Sequence, residues 1–89
     1  HKHRNSFQII SGEVRNIAKI RETYYLNFGE DWREDFTIVI KSHAARLFAK
    51  ANINPTTYER KKIEVRGWLK SYNGPMIEVT HPEQIVIIE

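Results

Sequence analysis

The stretch DFTIVIKSHAARLFAKA, Asp35 to Ala51, changes its hydrophobic period part-way along, and that change decides the fold. In its first half, Phe36, Ile38 and Ile40 alternate with Thr37, Val39 and Lys41, the two-residue period of a half-buried strand. In its second half, Ala44, Leu47, Phe48 and Ala51 fall at i, i+3, i+4 and i+7, the spacing of one helical face. Ser42 can supply the N-cap oxygen, and Asn52 tolerates the left-handed conformation that ends a helix. A third strand therefore runs over Asp35–Lys41 and leads directly into a helix.

Upstream lies FQIISGEVRNIAKI, Phe7 to Ile20, a long β-rich segment with Gly12 inside it. A glycine within a strand marks a bend, a bulge or a close approach that a side chain would obstruct. Arg21-Glu22 forms a short turn into Thr23–Phe28, where Leu26 and Phe28 share one face, and Gly29–Glu34 is a charged loop. Downstream, Asn54-Pro55 opens a second short turn with proline at its first position. Lys62–Tyr72 (KIEVRGWLKSY) is a long strand, Asn73-Gly74 is a pair favoured in tight hairpins, and Met76–Thr80 returns antiparallel. Pro82 interrupts the pairing, and Ile85–Ile88 closes or covers an edge.

The order β-β-β-α-β-β predicts an all-β chain with one inserted helix, specifically a five-stranded OB-fold Greek-key barrel. The bent first strand serves both halves of the barrel and the helix plugs its open end. An SH3-like barrel lacks the helix, and a ferredoxin-like fold needs two.

With 89 residues there is room for a single domain, placed at residues 7–89 behind a flexible polar end at 1–6. The 40% hydrophobic content is enough for a folded core, which excludes a wholly disordered chain. The absence of cysteine excludes disulfides and thiolate metal sites. A formal charge of +3 is a mild excess that permits an anionic partner without the dense basic run of a nucleic-acid tail. No run of 18 apolar residues is present, so membrane insertion is not expected. The first residue is His1 rather than Met, and the expectation is that an upstream segment was removed.

The segments YLNFGEDW, DFTIVI, VRGWL and NGPMIEVTHPEQI, between Tyr25 and Ile85, resemble the small OB-fold domains related to the staphylococcal (thermonuclease) nuclease superfamily. The resemblance covers about two-thirds of the chain and implies the OB fold. It also implies a bacterial protein and, for the compartment that composition leaves unknown, export to the periplasm or beyond. A thermonuclease carries an Asp-rich metal site and phosphate-clamping arginines around a D-G-D-T/S segment. This chain has no such segment, so the nuclease activity of the family does not carry over to it.

The other constellations in the chain fit plain structural roles. Glu30, Asp31, Glu34 and Asp35 put four carboxylates within six residues, but without EF-hand spacing, and they read as a solvated loop. His1 and His3 flank Lys2 at the chain start, while His43 and His81 are isolated and have no Glu-x-x-His pattern. No activated nucleophile, G-x-S-x-G or phosphate-binding glycine loop is present. The expectation is a non-enzyme with no cofactor and no metal.

What remains is aromatic and basic. With Leu26 and Phe28 inward, Tyr25 and Asn27 point outward, as do Thr37 and Lys41 on the next strand. Ile63, Val65, Gly67 and Leu69 take the core side of the long strand, which sends Arg66, Trp68, Lys70 and Tyr72 out. Rings on which bases stack, with cations that follow phosphates, are the parts of a single-strand binder. OB-folds carry their ligand across strands two and three, between the first and last hairpin loops. That nominates Arg21, Tyr24, Tyr25, Asn27, Thr37, Lys41, Tyr72 and Asn73, supported by Arg15 and Lys19. The expected function is binding of single-stranded DNA or RNA. The alternative is an interaction domain that docks a peptide, a protein partner or its own copy by a strand edge or the Trp68 face. A second alternative is an accessory or degenerate nuclease-like domain.

Overall fold

The computed structural model describes residues 6–29, 36–71 and 74–88. Seven strands form one sheet: β1 (Ser6–Glu13), β2 (Asn16–Ile20), β3 (Thr23–Asn27), β4 (Thr37–Ile40), β5 (Lys62–Ser71), β6 (Pro75–Glu78) and β7 (Ile85–Ile87). A single α-helix, α1 (Ser42–Lys50), lies between β4 and β5, so the chain is β-rich with one inserted helix. Hydrogen bonding runs in the order β1-β5-β6-β4-β3-β2, with β7 on β5. All pairs are antiparallel except β4 with β6.

The ladder is not the closed five-stranded ring expected from the sequence: it has seven strands, and its two ends, β1 and β2, do not pair with each other. The strand expected over 7–20 is two strands, because it breaks and changes neighbours at Val14-Arg15. The Val14 N–H donates to the Lys61 carbonyl at 3.0 Å, and the Val14 carbonyl accepts from the Arg60 N–H at 2.7 Å. The next residue, Arg15, donates instead to the Asn27 carbonyl at 2.8 Å, on the β3 side. Consecutive residues thus bond opposite ends of the sheet. Gly12 supplies the predicted close approach two residues earlier, since a Cβ there would lie 2.8 Å from the Phe28 ring.

Alternation builds the core. Leu26, Ile38, Ile40, Ile63, Val65, Ile77 and Val79 are fully buried, and α1 adds Ala44 and Phe48. Burying a side chain the size of Phe48 contributes about 1.5–3 kcal/mol. Phe48 meets the buried Tyr58 edge-on at 6.4 Å between ring centroids. Tyr58 arrives on a short 3-10 turn, Pro55–Tyr58, which starts where Asn54 Oδ1 accepts from the Thr56 N–H at 3.0 Å. Asn52 takes the left-handed conformation, φ 62°, as expected of a helix terminator. The expected Ser42 cap is corrected: Lys41 holds the extended N-cap position without a side-chain bond, and Ser42 is already helical. Ile85–Ile87 pairs along Ile63–Val65 of β5 and so covers an edge, as expected.

Candidate nucleic-acid interface

Strand parity fixes which side chains share the outer face. On β3, Leu26 is buried and Tyr24 packs against the core beside it, leaving Tyr25 and Asn27 on the opposite side. On β4, Ile38 and Ile40 are the inward pair, and Thr37 lies outward. Register then lines up one outward row as Asn16, Asn27, Thr37, Met76 and Lys70. A second row runs Ala18, Tyr25, Val39 and Glu78.

Three polar side chains of the first row are linked. Thr37 Oγ1 donates to Asn27 Oδ1 at 3.2 Å, and Asn27 Nδ2 donates to Asn16 Oδ1 at 2.9 Å. The ladder leaves N–H groups on both amides open for a ligand, because each NH₂ carries two donors. Beside it, Tyr25 is half-buried between Ala18 and Val39 in the pairing register, which restrains the ring without covering it completely. Lys41, exposed at the end of β4, holds its Nζ 3.8 Å from Glu78 Oε1. An ion pair at that distance in an exposed setting contributes little and yields readily to a phosphate.

The structure therefore brings Tyr25, Asn27, Thr37 and Lys41 to one face. Arg21 lies at its end, in the two-residue turn between β2 and β3, where φ is 58°. Such hairpins need a positive φ at the first central position, and the side chain stays exposed. Tyr24 is the exception: it belongs to the core side of β3, and its ring receives the Lys19 Nζ at 5.3 Å from the centroid. Two neighbouring tyrosines on a strand cannot share a face, so Tyr24 does not join Tyr25. Arg15 is exposed at the bend where β1 gives way to β2. Tyr72, Asn73, the acidic residues Glu30, Asp31, Glu34 and Asp35, and His1 and His3 lie outside the described residues.

Sequence reasoning did not nominate Asn16, Phe7, Arg66, Trp68 or Lys70 for the site. The outward parity of Arg66, Trp68 and Lys70 was readable, and all three are exposed. Asn16 could be assigned only once its pairing with Asn27 was known. Among the described residues, no group of three His, Asp or Glu side chains is arranged to hold a metal ion. Nor is any helix there long and apolar enough to cross a membrane. In comparisons with known proteins, no family model and no curated protein sequence matches the chain.

Proposed function

We propose that this chain is an OB-type module that binds single-stranded nucleic acid on the outer face of β3 and β4 and does not cleave it. Taking β1 and β2 as one bent strand, and β7 as an addition to β5, gives five strands in Greek-key order with α1 between the third and fourth. The exchange of partners at Val14-Arg15 supports that count. The resemblance to OB-fold domains related to the staphylococcal nuclease superfamily belongs to the same reading, as a kinship of fold.

One observation carries the function: the Tyr25 ring, the Asn16–Asn27–Thr37 amide and hydroxyl ladder, and the Lys41 ammonium stand together on one sheet face. The ring offers a stacking surface, the ladder offers donors to a base edge, and Lys41 and Arg21 follow the phosphates. Stacking of one base is worth about 1–3 kcal/mol, so a face with a single good ring and several cations binds weakly and with little sequence preference. The test is fluorescence anisotropy of labelled single-stranded oligonucleotides. Tyr25→Ala is expected to weaken binding at least fivefold, and Lys41→Ala to weaken it while lowering its salt dependence. Equal affinity for wild type and both variants would remove this face from consideration.

A further inference from the structure

A second feature stands three strands away on the same sheet. Phe7 and Trp68 are cross-strand partners on β1 and β5, each more than half exposed, with ring centroids 6.1 Å apart in an edge-to-face arrangement. Exposed aromatic pairs of this size are unusual unless something covers them. They border an open groove of about 620 Å³, whose other walls are Arg66, Gly67, Lys70, Glu78, Thr80 and Gln84. Gln84 is pinned at the base. Its Oε1 accepts from the Thr80 N–H at 2.9 Å and the His81 N–H at 3.0 Å, and its Nε2 donates to the Arg66 carbonyl at 2.9 Å. This wall of the groove is thus built before any ligand arrives.

We infer that this groove takes further nucleotides of the same single strand, one base stacking on the Trp68 indole and the flanking phosphates meeting Arg66 and Lys70; this rests on the function proposed above. Three arguments select that occupant. First, Arg66, Trp68 and Lys70 are alternate residues of β5, all outward, so a cation stands about 6.6 Å on either side of the ring. Base, ring and phosphate can then be met in turn along one strand. Second, the groove walls carry two cations, Arg66 and Lys70, against one acid, Glu78; Arg66 also pairs with Glu64 at 3.2 Å, an exposed contact that yields to a phosphate as the Lys41–Glu78 pair does. Lys70 has no acidic partner among the described residues, which leaves its charge for a phosphate. Third, the spacing suits a polymer. Three strand intervals, β3 to β4 to β6 to β5, separate Tyr25 from Trp68 along the sheet. At about 4.8 Å each they total roughly 14 Å, a distance that a few nucleotides of an extended single strand can span. Val39 and Glu78 continue Tyr25's own row toward β5, and the neighbouring row Asn27, Thr37, Met76 and Lys70 runs beside it from β3 to β5.

The test uses a fluorescein-labelled oligothymidylate of about ten nucleotides, within the site sizes of OB-type binders, titrated at low salt. Wild type is expected to bind, Trp68→Ala to bind at least fivefold more weakly, and Trp68→Phe to keep most of the affinity because it keeps a flat ring. A parallel measurement in a Trp32→Phe background leaves Trp68 as the only tryptophan, and its emission is expected to quench on saturation. This readout needs no substitution at the groove. If wild type binds and Tyr25→Ala weakens it, while Trp68→Ala binds as wild type does and Trp68 emission does not move, the groove is not part of the site and the proposed function stands without it. If wild type binds no oligonucleotide, both fall. A Trp68-dependent rise in mass with concentration would then assign the Phe7–Trp68 face to protein contact.

Discussion

Gly67→Ala tests how the groove-forming strand is held. Gly67 is buried on β5 between Arg66 and Trp68, and a Cβ built there would lie 2.7 Å from Ile77 Cγ2 and 3.0 Å from Gln84 Nε2. Ordinary carbon contacts sit at about 3.5–4.0 Å, so the neighbours must retreat by close to 1 Å. Ile77 cannot do so cheaply, being fully buried on β6. Gln84 can retreat only by loosening its bond to the Arg66 carbonyl. Inserting a methyl group into such a site costs about 1–3 kcal/mol. In a domain of this size each kcal/mol lowers Tm by about 4–8 °C, so a cost near 2 kcal/mol means a fall of roughly 8–16 °C. The assay is urea unfolding followed by circular dichroism, paired with a thermal scan. The midpoint should fall with the slope unchanged, as for a loss of stability without a change in the surface exposed. Gly12→Ala is the control. Its Cβ would meet the Phe28 ring at 2.8 and 2.9 Å, but Phe28 is only half-buried and its ring can swing, so the loss should be smaller. A Gly67→Ala protein within about 0.5 kcal/mol of wild type, or a Gly12→Ala protein that loses more, would refute the packing described for β5, β6 and Gln84.

Two further outcomes are expected. Burial pushes the Tyr58 hydroxyl above the usual tyrosine value of 10.0. The unfolded chain therefore loses that proton first, so the stability linked to Tyr58 is intact below pH 10 and declines as pH rises from 10 through the folded-state value. Alkaline unfolding curves should show this decline, and Tyr58→Phe should flatten it. Glu78→Gln removes an acid from the outer face and releases Lys41, and surface pairs of this kind are worth about 0.2–1 kcal/mol. Single-strand affinity in the anisotropy assay should therefore rise by roughly 1.5- to 5-fold, whereas a fall would show that Glu78 is itself a ligand contact.

Much of the architecture is legible in particular residues. The alternation of Phe36, Ile38 and Ile40 and the helical spacing of Ala44, Leu47 and Phe48 mark their elements correctly, because one face of each must be buried. The apolar Ile63, Val65 and Gly67 likewise announce the inward side of β5. What strand parity could not supply was pairing. That Asn16 would bond Asn27, or Phe7 face Trp68, depends on register between segments far apart in sequence. The change of neighbours between Val14 and Arg15 left no local mark either; Gly12 drew attention to a nearby point for a different reason, the Phe28 ring. Tyr24 has the same chemistry as Tyr25, but the parity that sends Tyr25 outward sends Tyr24 to the core side. The site was therefore readable as a composition of ring and cation, and only the three-dimensional register sorts those residues into one face.

The central claim, that the outer face binds single-stranded nucleic acid, is tested most directly by titrating labelled single- and double-stranded oligonucleotides into the protein at low and at physiological salt. The account predicts preference for the single strand, with log affinity falling against log salt by about 0.7 for each phosphate neutralised. Three or four contacts from Arg21, Lys41, Arg66 and Lys70 would give a slope of about −2 to −3. No binding of either form at low salt, or binding that ignores salt, would contradict it.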